Sequence, residues 1–194
     1  MVRLAAALLV CVTAFSQTAP QTYVPPTWKE RRTVFLKKMF GPQALVETVP
    51  GAAFDTAREF PSSWGRGAGG FGKRTLSQYG QFAVGEGIEM GVAAFRKEDP
   101  RYHRAGEGAA FSKRIGRIVA SGVVTRNHEG NRTIALSRLG NIYGSWAIAS
   151  RWNPPEVRSA RSVFLNGSLG LGIKVGGNAF REFWPDIKKR LKRQ

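Results

Sequence analysis

Leu169-Gly170-Leu171-Gly172-Ile173-Lys174-Val175-Gly176 is the stretch whose reading decides the fold. Its large apolar residues alternate with glycine or lysine, which is the period of a strand. Glycine inside a helix is also unfavourable, by about 1 kcal/mol relative to alanine. A chain of such strands would be an outer-membrane β-barrel, whose residues alternate between lipid and lumen. The segments upstream do not alternate, however, and a polybasic end makes a poor barrel terminus. The stretch is therefore read as helix, and the chain as an all-α, single-domain bundle with close-packed glycine- and alanine-rich helices. The β-barrel is the alternative.

Upstream, helical signals recur. Thr27-Trp28-Lys29-Glu30 is a capping box, in which the Thr hydroxyl and the Glu carboxylate satisfy exposed amides at a helix start. That helix should run to Phe40, where Gly41-Pro42 stops it. Residues 43–59 read as helix with a break or kink at Pro50. Trp64 to Gly72 reads as a glycine-rich loop. From Thr75, the positions Leu76, Tyr79, Ala83, Gly87, Met90, Gly91 and Ala94 recur at three and four, a helical period. Glu98-Asp99-Pro100 ends that helix, and Arg101 to Gly108 is a polar connection. Further helices are expected from Phe111 to Gly122 and from Thr133 to Trp152, with a turn at Asn127–Asn131 between them. Pro185 should break the last helix near Trp184, because a helical residue before proline clashes with its ring.

The amino terminus points to export. Met1-Val2-Arg3 is a short positive region, and Leu4 to Phe15 is an apolar run too short to span a bilayer. Ala14-Phe15-Ser16 offers small residues where a signal peptidase cuts, so residues 1–16 read as a signal peptide. Residues 17–26 then read as a linker, and 27–194 as the helical domain. Val10 is too large for the position before a lipidated Cys11. Cys11 is the single cysteine, so the mature chain would carry neither disulfide nor thiol chemistry. A periplasmic or envelope location suits that better than a disulfide-stapled extracellular scaffold.

The chain has 30 Lys and Arg against 13 acids in 194 residues, a formal charge of +17. Such an excess attracts anionic lipid, acidic glycan or nucleic acid. Five of these basic residues crowd the tail, residues 186–194. There Lys188, Lys189, Arg190, Lys192 and Arg193 follow Trp184, an aromatic suited to a membrane interface.

Three segments carry a family resemblance: Trp64-Gly65 through Phe71-Gly72-Lys73-Arg74, then Glu98-Asp99-Pro100-Arg101-Tyr102, then Glu182-Phe183-Trp184-Pro185-Asp186-Ile187-Lys188. Together they resemble a family of small, exported bacterial proteins of uncharacterised activity. The resemblance covers roughly residues 41–190. It implies one helical domain and brings no catalytic role.

Catalytic constellations are sparse. Asp99, Arg101, His103 and Glu107 form the nearest thing to a polar cluster, and a carboxylate-dependent hydrolase would use it. The two histidines lack a paired spacing, so no metal site is expected, and no cofactor either. Gly67-Ala68-Gly69-Gly70-Phe71-Gly72 matches a dinucleotide fingerprint, but no buried strand precedes it. No nucleotide is expected. Gly87/Gly91, Gly140/Gly144 and Gly172/Gly176 are small-xxx-small pairs that let helices approach closely, or let a second copy pack. The expectation is thus a non-enzymatic envelope protein that associates with an anionic membrane or glycan. The alternatives are a secreted hydrolase and a polyanion or nucleic-acid binder.

Overall fold

A computed structural model describes residues 23–106 and 108–192. The signal-peptide reading and most of the linker therefore lie outside the described residues. Those described are mostly helical, with six helices and one small three-stranded sheet. The helices are α1 (Trp28–Phe40), α2 (Pro42–Ala57), α3 (Gly67–Phe95), α4 (Phe111–Ala120), α5 and α6 (Ala160–Leu191). α5 is built from Leu136–Leu139, a wide π-helical turn Gly140–Gly144, and Ser145–Ala149. Between them run β1 (Glu98–Asp99), β2 (Val124–Asn127) and β3 (Arg132–Ile134), antiparallel in that order.

The quoted stretch is helical, as read, and its alternation has a physical explanation. Leu171 and Val175 lie four apart and face inward, where both would contact a side chain placed on Gly122. Leu169 and Ile173 also lie four apart and face outward, 64 % and 69 % exposed. Two apolar faces on one helix thus mimic a strand period over eight residues.

α1 starts on the expected capping box, with the Thr27 amide donating to Glu30 Oε2 at 2.7 Å. Four expectations need correction. Helix α3 begins at Gly67 and not at Thr75, so most of the glycine-rich loop is helical. Its first turns are held by Arg74, whose guanidinium donates to the carbonyls of Phe60, Pro61 and Gly65 at 2.8, 2.8 and 2.9 Å. Gly70 sits where a Cβ would lie 2.3 Å from the Gly65 carbonyl oxygen. Pro50 does not end α2, whose Ala44, Thr48 and Ala52 are buried. Thr133 and Ile134 belong to β3, where Thr133 pairs with Thr125, so α5 starts only at Leu136. The turn at residues 127–131 is present and closes this hairpin, the Asn127 side chain accepting from the amides of Glu129 and Asn131.

The fourth correction concerns Pro185, which lies inside an unbroken α6 of 32 residues. The missing proline N–H removes one helical bond, and Arg114 clamps the helix on both sides of the gap. Its Nε and Nη2 donate to Glu182 Oε1 and to the Glu182 carbonyl at 3.1 and 2.6 Å. Its Nη1 donates to Asp186 Oδ2 at 2.6 Å.

The interior is built of small apolar residues and charged ones. Ala44, Ala52, Ala93, Ala135 and Ala149 are buried, and so are Arg74, Glu86, Glu89, Glu98, Asp99, Arg114, Arg138 and Glu182. Many of the large apolar residues point outward instead. Of the small-xxx-small pairs, only Gly140/Gly144 packs closely. Cβ atoms there would lie 3.0 and 3.2 Å from Ile88 of α3. Gly87, Gly91, Gly172 and Gly176 have nothing within 4 Å, so they mediate no close helix packing within this chain. No helix of the described residues is long and apolar enough to cross a membrane.

Candidate functional site

The polar cluster of the sequence reading is partly assembled. Asp99, on β1, is fully buried. Its carboxylate accepts from the Arg101 amide at 3.0 Å, from Arg101 Nε at 2.9 Å and from Arg101 Nη2 at 2.8 Å. It also meets His103 Nε2 at 3.1 Å and accepts from the Tyr23 hydroxyl at 2.9 Å. Burial pushes this carboxyl up, but the hydrogen bonds from His103, Arg101 and Tyr23 outweigh it and hold the group well below the usual carboxylate range. Burial and the bond to Asp99 push Tyr23 up to about 12. Arg101 Nη2 also reaches the Val24 carbonyl at 2.9 Å, so the cluster docks the start of the described chain. Five donors occupy the carboxylate, which leaves it little capacity to take a proton from a substrate. Glu107 lies outside the described residues. Among the described residues, no group of three or more His, Cys, Asp or Glu could hold a metal ion.

Two further clusters were not legible as such. Glu86 and Glu89 sit one turn apart on the inner face of α3. Lys38 of α1 pairs with Glu86, and Lys174 of α6 with Glu89, each at 2.8 Å. Asn141 of α5 donates to Glu89 at 2.6 Å and to Glu86 at 3.4 Å. Burial raises the Glu89 carboxyl, but Lys174 and Lys38 overcome it and bring the group down to about 2. Four helices thus meet on two carboxylates. The only sequence signal was a pair of acids three apart on a glycine-rich apolar helix.

The second cluster joins the segment after β1 to the middle of α6. Glu182 accepts from Tyr102 at 2.9 Å, from the Ala105 amide at 3.2 Å and from Arg114. Arg74, Asp99 and Glu182 are thus buried charges that lock the fold.

The basic tail is the remaining site. Lys188, Lys189, Arg190 and Lys192 are exposed at the end of α6, while Arg193 lies outside the described residues. Trp184 stacks on Phe180 with ring centroids 4.9 Å apart, and Lys188 Nζ lies 5.2 Å from the Trp184 ring. Asp186, the acid of this segment, is taken by Arg114. Along the same helix runs a feature that the sequence reading missed. Leu165, Leu169, Ile173, Phe180, Trp184, Ile187 and Leu191 are all exposed and spaced by three, four or seven positions. Such spacing places them on one face of α6. Gly167, Asn178 and Glu182 form the buried face opposite. An exposed apolar stripe of this extent on a charged protein marks an interaction surface. Compared with protein-family models, with curated proteins and with solved structures, the chain matches none.

Proposed function

We propose that the protein is a non-enzymatic envelope component that lies on an anionic membrane surface through the outer face of α6. The observation that carries this reading is the exposed apolar stripe from Leu165 to Leu191, whose end is set among Lys188, Lys189, Arg190 and Lys192. A helix of this type lies in the interface plane, with its apolar face in the acyl boundary and its cations among anionic head groups. Trp184 sits where the stripe meets the cations, the position an interfacial aromatic favours. Lys174, Glu182 and Asp186 of α6 are spaced away from the stripe and paired, with Glu89 and Arg114, so they do not interrupt its apolar face. A glycan or a nucleic acid would use the cations but has no use for the stripe. The hydrolase reading draws no support from Asp99, whose carboxylate is already filled by donors.

Vesicle flotation tests the proposal. The intact protein should float with phosphatidylglycerol-containing vesicles and stay behind with phosphatidylcholine alone. A variant combining Leu169→Asp and Ile173→Asp, both in open positions, should lose flotation while keeping its circular dichroism. Equal flotation by variant and wild type would sink the proposal.

A further inference from the structure

A groove of about 720 Å³ lies between α5 and the start of α6. Its apolar side is formed by Tyr143, Ala147, Val163 and Phe164, and its cationic side by Arg151 and Arg158. Tyr143 and Phe164 stack with ring centroids 6.2 Å apart and 20° between planes. Tyr143 meets the Ser168 hydroxyl at 3.2 Å, which fixes that ring against α6. Arg158 is oriented by donating its Nε to the Asn153 carbonyl at 2.6 Å. None of the described residues lining the groove is acidic. An apolar wall facing a cationic one is the arrangement that takes an amphiphilic anion.

We infer that this groove binds one anionic phospholipid. The phosphate sits against Arg151 and Arg158, and part of an acyl chain lies along Tyr143, Val163 and Phe164. Charge complementarity selects the head group: two guanidiniums and no carboxylate favour a phosphate oxygen, for which arginine has matching donor geometry. The apolar wall selects the source: Tyr143, Val163 and the 62 % exposed Phe164 offer an acyl chain a surface beside the two cations, which a free phosphate would leave unused. The inference rests on the membrane reading of α6 and adds a discrete binding site to it.

The experiment uses a dissolved lipid, so that groove binding is separated from adsorption to a surface. Dihexanoyl-phosphatidylglycerol, kept below its micelle concentration, is titrated calorimetrically into the full chain. Dihexanoyl-phosphatidylcholine and inorganic phosphate are run in parallel. One-to-one binding of the anionic lipid is expected, with either control at least about tenfold weaker. Arg151→Gln changes an exposed side chain and should weaken binding by a similar factor. Val163→Trp fills the groove and should abolish binding at unchanged circular dichroism. Absence of one-to-one binding, equal binding of phosphate alone, or full binding by Arg151→Gln would overturn the inference. If flotation persists while the dissolved lipid does not bind, the groove fails and the membrane reading stands. If the dissolved lipid binds while flotation fails, the groove stands without surface docking.

Discussion

The Tyr102 hydroxyl donates to Glu182 Oε2 at 2.9 Å, joining the connection after β1 to the middle of α6. Arg114 grips the same carboxylate from α4. Two neighbouring segments therefore converge on one buried charge 80 and 68 residues further along the chain. Loss of a donor to such a group leaves it partly unpaired, and the cost rises with the charge removed. Tyr102→Phe should destabilise the fold by about 2 kcal/mol. Arg114→Met, which strands Glu182, should cost about 4 kcal/mol. Urea denaturation at neutral pH reads both, and their effects should not add, since they share a partner. A loss for Arg114→Met of under about 0.5 kcal/mol, the usual size for a surface change, would refute the clamp.

Acid should unfold the protein through Glu89. Its carboxyl lies at about 2 in the fold against the ordinary 4.5. A lowered folded-state value means that the contribution is fully present above the unfolded pKa. It is lost as pH falls through the folded one, between about 4.5 and about 2. Linkage makes the loss on the order of 3 kcal/mol. In Glu89→Gln, stability across that window should be lower at the upper end and flatter. An unchanged slope would show that Glu89 does not govern it.

Glycines on α3 should respond oppositely to alanine. A Cβ at Gly70 would strike the Gly65 carbonyl at 2.3 Å and Arg74 Nη1 at 2.7 Å, so Gly70→Ala should lower the melting temperature. Gly87 has nothing within 4 Å, and Gly87→Ala should stabilise by up to about 1 kcal/mol through helix propensity. Thermal melts of the two variants check the contrast. A stabilised Gly70→Ala would contradict the packing at the start of α3.

The tail and the stripe should separate by salt. Replacing Lys188, Lys189, Arg190 and Lys192 by glutamine removes the described cations of the tail but keeps Leu191 of the stripe and leaves Asp186 on Arg114. Each lost cation should weaken binding to anionic vesicles by about 1 kcal/mol at low salt, and the loss should shrink as salt rises. Replacing stripe residues should weaken binding at every salt concentration. Co-sedimentation across a salt series distinguishes the two, and a salt-independent tail effect would refute the assignment.

By itself, the sequence determined the local structure where local physics is strong. The Thr27 capping box, the stop at Gly41-Pro42, the helix through Leu76 and Ala94, and the turn at residues 127–131 depend on neighbours a few positions away. The cations and Trp184 at the end of α6 were visible in the same way, as composition. Only the tertiary structure decided the rest. Gly67 to Gly72 became helix because Arg74 collects three distant carbonyls, and α6 passed Pro185 because Arg114 bridges it. Asp99 read as a candidate catalytic group until Tyr23, 76 residues away, was seen to share in filling it. The outward stripe was hidden for the same reason: an apolar residue has the same spacing whether it faces a neighbour or solvent. Contacts between residues far apart in the chain choose the buried face, and those contacts turned the charges of α3 and α6 inward and left Leu165 to Leu191 on the surface.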